Sequence, residues 1–290
     1  MTIRKASRIL KYMLYYKLAA ALLLAAGTPQ AMASFAPVNG INLYYEVHGQ
    51  AHKDHGAPLV LIHGGGSTIE SSFSHVLPLL ARTREVIAIE ETGHGHTKAT
   101  SRAFTFENTA DDVAALLDFL QIPRADILGF SNGGTSALQV AIRHPAKVRR
   151  LVLASAIYRR DGMPDGFFES MKTATLEVMP EALKEADRRV NPDPRHQQAL
   201  FDQDSQRMLH FKDIPEEQIR AIHAPALVLN GDQDVVKPEH ALRLAHTIPG
   251  ARLAILPGTH GAYLGAAESG PFDRPLVETT LSVINEFLEH

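Results

Sequence analysis

The chain has 290 residues, 45% hydrophobic and 21% charged, with no cysteine, no repeat and no low-complexity tract. That composition describes a globular protein stabilised by its core, and the missing thiols exclude a disulfide framework. A net charge of −3 gives little electrostatic attraction for nucleic acid.

Arg4, Lys5, Arg8, Lys11 and Lys17 form a basic start without an acidic residue, followed by an apolar run at 18–26 and by Ala31-Met32-Ala33. A basic region, a short apolar stretch and an A-x-A site are the three parts of a secretory signal peptide, here cut after Ala33. The apolar run falls short of the about 20 residues that span a bilayer, and without cysteine there is no lipid anchor at the cut. The expectation is a periplasmic or secreted protein with no stable membrane association. Losing those five positive charges takes the net charge from −3 to −8.

Downstream, apolar runs and helical periodicities alternate, which argues for a mostly parallel sheet covered by helices. Residues 35–38 and 41–47 flank Asn39-Gly40, a hairpin signal. Pro58-Leu59-Val60-Leu61-Ile62 reads as a strand running into His63-Gly64-Gly65-Gly66. Glycines there let backbone amides approach a developing negative charge, and Gly65 is assigned as one oxyanion donor. Neither G-K-[ST] nor G-x-G-x-x-G occurs, which disfavours a phosphate-binding loop. A strand at 85–90 precedes a turn holding His94 and His96. Their spacing suits a metal-ligand pair, but the sequence brings no third ligand beside them, so no metal is expected. From Phe106 onward, Ala110, Val113, Leu117 and Leu120 recur at helical spacing and face the sheet.

The strand Ala125–Phe130 then delivers the chain into Gly129-Phe130-Ser131-Asn132-Gly133, followed by a helical pattern at 134–142. This is a G-x-S-x-G nucleophile elbow, whose glycines permit a strained strand-to-helix turn that lifts the Ser131 hydroxyl clear of the sheet. The amide of Asn132 is the second oxyanion donor. After a strand at 150–154 the alternation stops, and 157–222 reads as several short helices. Strands resume at 226–230 and at Arg252–Leu256. The first ends in Gly231-Asp232-Gln233-Asp234, where Asp234 lies further into the loop and Asp232 reads as a turn-former using its own backbone amides. The second ends in Pro257-Gly258-Thr259-His260-Gly261, whose small residues let the His260 imidazole turn toward a neighbouring site. A closing helix is expected at 276–288.

His63-Gly64-Gly65, Gly93-His94-Gly95, the elbow at Ser131, Asp234, His260 and the helix block 106–117 together resemble the α/β-hydrolase superfamily. The likeness runs over 41–290, and is to cap-bearing members: esterases, lactonases, C–C bond hydrolases, proline iminopeptidases and cofactor-free perhydrolases. The resemblance implies an α/β fold with a mostly parallel eight-stranded sheet flanked by helices. Its core would be 34–156 and 223–290, with a small helical cap at 157–222. It implies the chain order Ser131, Asp234, His260, with Asp234 at the usual G-x-x-D spacing to orient the base. Ser131 stands where haloalkane dehalogenases and epoxide hydrolases carry Asp. One departure is the turn usually written Asp-x-x-Gly-His-Gly, which here begins at Glu90; Glu90 and His94 are read as structural.

Phe73, Phe130, Tyr158, Phe168 and Met171 are assigned as walls of an apolar pocket over Ser131, and Arg188, Arg189 and Arg195 as a solvated helix face. The expected chemistry is two-step acyl transfer on a small-molecule substrate, without metal or organic cofactor. Esters or lactones of small, largely apolar molecules lead. C–C hydrolysis, aminopeptidase cleavage and perhydrolysis use the same parts, and a non-catalytic ligand receptor is the alternative of another class.

Overall fold

The computed structural model describes residues 32–50 and 57–290. The basic start and apolar run of the expected signal peptide lie outside the described residues. Eight strands form one sheet: β1 (Met32–Val38), β2 (Ile41–His48), β3 (Leu59–Ile62), β4 (Val86–Glu90), β5 (Ala125–Phe130), β6 (Val148–Ala154), β7 (Ala226–Gly231) and β8 (Arg252–Leu256). Their spatial order is β1-β2-β4-β3-β5-β6-β7-β8. The β1–β2 and β2–β4 pairs are antiparallel, and every pair from β4 through β8 is parallel. The hairpin turns at Asn39 and Gly40, both at positive φ, as an Asn-Gly turn requires.

The helices are α1 (Ile69–Phe73), α2 (Leu77–Leu80), α3 (Phe106–Phe119), α4 (Asn132–Arg143), α5 (Phe167–Ser170), α6 (Glu181–Val190), α7 (Pro194–Leu209), α8 (Glu216–Arg220), α9 (Pro238–Thr247) and α10 (Arg274–Glu289). The sheet divides the core in two. Val60, Ile62, Ile87, Ile89, Ile127, Leu151 and Val228 pack with α3, α4 and α9. Their alternates Leu59, Leu61, Val86, Ala88, Leu128, Val152 and Leu227 pack with α1, α2 and α10. Successive side chains of a strand point to opposite faces, so strands buried on both faces read as continuous apolar runs in sequence.

Between β6 and β7 the chain carries only helical elements. The several short helices expected there resolve into two longer ones, α6 of 10 and α7 of 16 residues, beside one-turn pieces. Asp193 caps α7 by accepting from the Arg195 N–H, and Pro194 occupies its first turn, where the missing N–H costs nothing. No helix among the described residues is long and apolar enough to cross a membrane.

Candidate active site

The site is built at the carboxyl ends of the parallel strands, where open α/β sheets bind ligands. At the end of β5, Ser131 adopts φ 56°, ψ −122°, a strained conformation for a residue with a side chain, of the kind that costs about 1–3 kcal/mol. Its neighbours explain why glycine surrounds it. A Cβ on Gly129 would lie 2.0 Å from the Gly133 oxygen, and one on Gly133 would lie 2.2 Å from the Ile62 oxygen. Strand, turn and helix α4 therefore close to backbone contact, and the serine is pushed outward.

Three segments far apart in sequence meet there. Ser131 Oγ lies 2.9 Å from His260 Nε2, and His260 Nδ1 lies 2.7 Å from Asp234 Oδ1. The Asp234 carboxylate is fully buried. It also accepts from the Val236 N–H at 2.9 Å and, through Oδ2, from the Ser155 hydroxyl at 2.5 Å, which in turn accepts from Tyr263 at 2.6 Å. Burial works against charge on Asp234, but hydrogen bonds and charge from His260, Ser155 and the Val236 amide bring its pKa below the ordinary carboxylate value. Burial likewise disfavours an imidazolium at His260. The hydrogen bond and charge of Asp234, with Glu268 beyond, outweigh it and raise the pKa. A hydroxyl hydrogen-bonded to an imidazole that a buried carboxylate orients is equipped to attack a carbonyl.

Gly65 and Asn132 border the same cavity as Ser131. They adjoin so closely that a Cβ on Gly65 would meet the side-chain Nδ2 of Asn132 at 2.4 Å. The next amide along the glycine loop, that of Gly66, donates to Asp204 Oδ2 at 2.5 Å. Asp204 comes from α7, and it draws a buried polar cluster after it. His94 Nε2 lies 3.0 Å from Asp204 Oδ2, and Arg207 donates to Asp204 Oδ1 at 3.1 Å and to both oxygens of Glu91 at 3.2 Å. Burial opposes the charge on Asp204, yet His94 and Arg207 hold it at about 2. Further bonds fasten the insertion: Gln203 donates to the Thr92 carbonyl at 2.6 Å and Asn191 to the Gly95 carbonyl at 2.7 Å.

The cavity has a volume of about 280 Å³, with walls of Met163, Phe167, Met171, Met179 and Leu183 and neither lysine nor arginine in its lining. Of the five wall residues read from sequence, the structure puts only Met171 there. Phe73 is fully buried in the core on the α1–α10 side of the sheet. Phe130 is fully buried as well, beneath the base, its ring centroid 4.9 Å from that of His260. Tyr158 packs against His240, the ring centroids 4.8 Å apart and the planes tilted by 32°. Phe168 packs inward against Phe211 under the Arg160 guanidinium, while its neighbour Phe167 faces the cavity, because adjacent helical positions diverge by about 100°. Asp232 is also corrected: its carboxylate accepts from the Gly258 N–H at 2.8 Å, fastening the His260 loop instead of its own turn.

Arg188 pairs with Glu181, Arg189 with Glu70 and Arg195 with Asp193, all on the surface. His94 and His96 face different partners, since His96 bonds Glu90 at 2.8 Å. Ligand atoms of His63, Glu91 and His94 do lie within 4.8 Å of one another. The His63 ring is spent on the Gly64 carbonyl and the Glu91 N–H, and His94 on the Thr92 carbonyl and Asp204. Neither imidazole has a lone pair left to offer a cation, and the Glu91 carboxylate is already paired with Arg207. Ser155, Tyr263, Asp204 and Arg207 were not read from sequence as parts of the site. The only local signal for any of them was the position of Ser155 just past a strand end.

This fold and this arrangement define a hydrolase of the α/β class. The model for the alpha/beta hydrolase fold matches residues 57–195. The chain is 30% identical over 255 residues to 2-hydroxy-6-oxo-2,4-heptadienoate hydrolase of Pseudomonas putida, covering 80% of this chain and 89% of that one. It is 31% identical over 222 residues to 2-hydroxymuconate semialdehyde hydrolase of a Pseudomonas species, covering 69% and 78%. The enol-lactonase of Burkholderia xenovorans superposes with a TM-score of 0.67 at 24% identity, over 88% of this chain and 100% of that one. The chain belongs to the α/β-hydrolase family.

Proposed function

We propose that the protein is an exported serine hydrolase that cleaves carboxylic esters or lactones of small, largely apolar molecules through an acyl-enzyme on Ser131. The observation that carries this is the hydrogen-bonded run Ser131–His260–Asp234 opening onto an apolar cavity of about 280 Å³. In the first step His260 takes the Ser131 proton as Oγ bonds to the carbonyl carbon, and the oxyanion rests on the amides of Gly65 and Asn132. His260 then gives that proton to the leaving alkoxide. In the second step it takes a proton from water, hydroxide equivalent adds to the acyl carbon, and the Ser131–acyl bond breaks as the proton returns to Oγ. Asp234 holds the imidazole and stabilises its charged form throughout. The basic and apolar pattern of residues 4–26 supports export.

A second reading, hydrolysis of a C–C bond, is favoured by the two Pseudomonas relatives, whose names specify a dienoate and a muconate semialdehyde. Both names carry a carboxylate. The cavity lining here has no lysine or arginine, and its one acid is Asp204. An anion entering would lose hydration, worth several kcal/mol, without gaining a lysine or arginine to pair with. Neutral substrates therefore fit better.

The test is a panel at one pH: p-nitrophenyl esters of increasing acyl length, a neutral lactone, an aminoacyl amide and a 6-oxo-2,4-dienoate. Fastest turnover on a short ester or the lactone is expected, and dominance of the dienoate would overturn the substrate assignment. Fluorophosphonate labelling of wild type but not of Ser131→Ala separates a working hydrolase from a non-catalytic receptor.

A further inference from the structure

We infer that Asp204 is a positioning residue for the oxyanion-binding loop, so that the helical insertion sets catalytic rate as well as pocket shape. This rests on the assignment of Gly65 and Asn132 as oxyanion donors and deepens it.

Three successive glycines, Gly64, Gly65 and Gly66, give this loop unusual backbone freedom, and an amide that is to stabilise an oxyanion must be aimed before the reaction starts. On one side the aim is fixed by core residues. His63 Nδ1 lies 2.7 Å from the Gly64 oxygen, and the Gly64 N–H donates to Ser72 Oγ at 3.3 Å. On the other side the loop is fixed from above, because Gly66, at φ 64°, gives its N–H to Asp204. Spending the Gly66 amide in this way leaves the Gly65 amide as the free donor beside Asn132.

Asp204 is itself held on its other faces by His94 and Arg207. Arg207 reaches Glu91, and Glu91 accepts from Ser136 at 3.0 Å. Ser136 lies on α4, the helix whose first residue is Asn132. One buried chain of bonds thus runs from the loop bearing the first donor, through the insertion, to the helix bearing the second. Its effect is to fix the two amides relative to each other. Asp204 touches no reacting atom in this scheme, and it acts through Gly66.

The experiment measures the second-order rate of fluorophosphonate labelling at Ser131, which uses the same oxyanion site and needs no knowledge of the natural substrate. Asp204→Ala is expected to slow labelling about 10- to 100-fold, the scale of a misplaced catalytic donor. Asp204→Asn keeps a carbonyl oxygen for Gly66 but sets its NH2 against Arg207. It is expected to lower thermal stability while labelling within about fivefold of wild type. Asp204→Glu keeps the charge pairing, displaces the carboxylate by one methylene, and is expected to label at least about tenfold more slowly. The Gly66 amide proton resonance of the Asn variant should stay near the wild-type position and move upfield in the Glu variant. If Asp204→Ala does not fold, the Asn and Glu variants decide the matter between them. Equal labelling by wild type and the Glu variant, or an Asn variant as slow as Glu, overturns the inference. A wild-type protein that never labels refutes the proposed function instead, and the Gly66 resonance still reports whether the carboxylate holds the loop.

Discussion

Replacing Gly133 with alanine tests the elbow most directly. The added methyl would stand 2.2 Å from the Ile62 oxygen and 2.4 Å from the His63 oxygen. Both are backbone atoms of β3 and the loop after it, so no side chain can swing aside. To reach contact beyond 3.0 Å, the start of α4 has to retreat by about 1 Å, and Ser131 and the Asn132 amide retreat with it. Overpacking of this kind costs about 1–3 kcal/mol, which for a protein of this length lowers the melting temperature by about 2–6 °C. A 1 Å misplacement of nucleophile and donor costs about 100-fold in rate. Thermal unfolding and fluorophosphonate labelling read the two effects separately. A variant that melts with wild type and labels at the wild-type rate would refute the claim that backbone contact at Gly133 sets the serine.

Asp234→Asn removes the charge that raises the His260 pKa, so the acid limb of kcat/KM should move to lower pH while kcat falls by about 10⁴-fold, as in other triads given the wrong tautomer; an unmoved limb would contradict the assignment. In wild type that limb should lie above the ordinary imidazole value of about 6.5. Burial, with His94 nearby, pushes His63 down to about 4, and burial pushes His240 down to about 4. Each is neutral in the fold and charges more readily unfolded, so the stability each contributes is present above about pH 6.5 and is lost as pH falls through 4, about 3 kcal/mol apiece. His94, whose pKa is raised, works in the opposite sense. Urea unfolding at pH 7 and pH 4 should show His240→Gln losing about half of the combined His63 and His240 dependence. Met171→Trp should narrow the cavity and cut kcat/KM for an octanoyl ester at least about tenfold more than for an acetyl ester; equal losses would take Met171 off the wall.

The sheet was legible because its central strands are buried on both faces and so appear as Leu59–Ile62 or Ala125–Phe130, runs with almost no polar residue. Ser131, Asp234 and His260 were legible because each follows such a run, and parallel strands deliver all their carboxyl ends to one edge. The insertion was not. Phe167 and Phe168 differ only in which way α5 is rolled, and nothing local in the sequence sets that roll. Asp204 and Arg207 lie in a run of mostly polar residues, yet both oxygens of Asp204 are engaged and Arg207 is 4% exposed. Burial of a charge depends on partners such as His94 and Glu91, more than 100 residues earlier in the chain. Ser155 sits at φ 50°, a backbone state that its residue type gives no reason to expect.

The bonds that fasten the insertion also bear on which part of the cavity can yield. Swinging the helices between β6 and β7 away from the sheet would break the contacts of Asn191, Gln203, Asp204 and Arg207 together. What is left to yield is the wall itself, since four of the seven methionines of the chain, Met163, Met171, Met179 and Met208, line the cavity. Thioether arms turn among rotamers at little cost, so these walls adapt to the shape of a guest while the helices stay fastened, and an oxidant that converts those sulfurs to sulfoxides would make the walls polar while leaving Ser131 untouched.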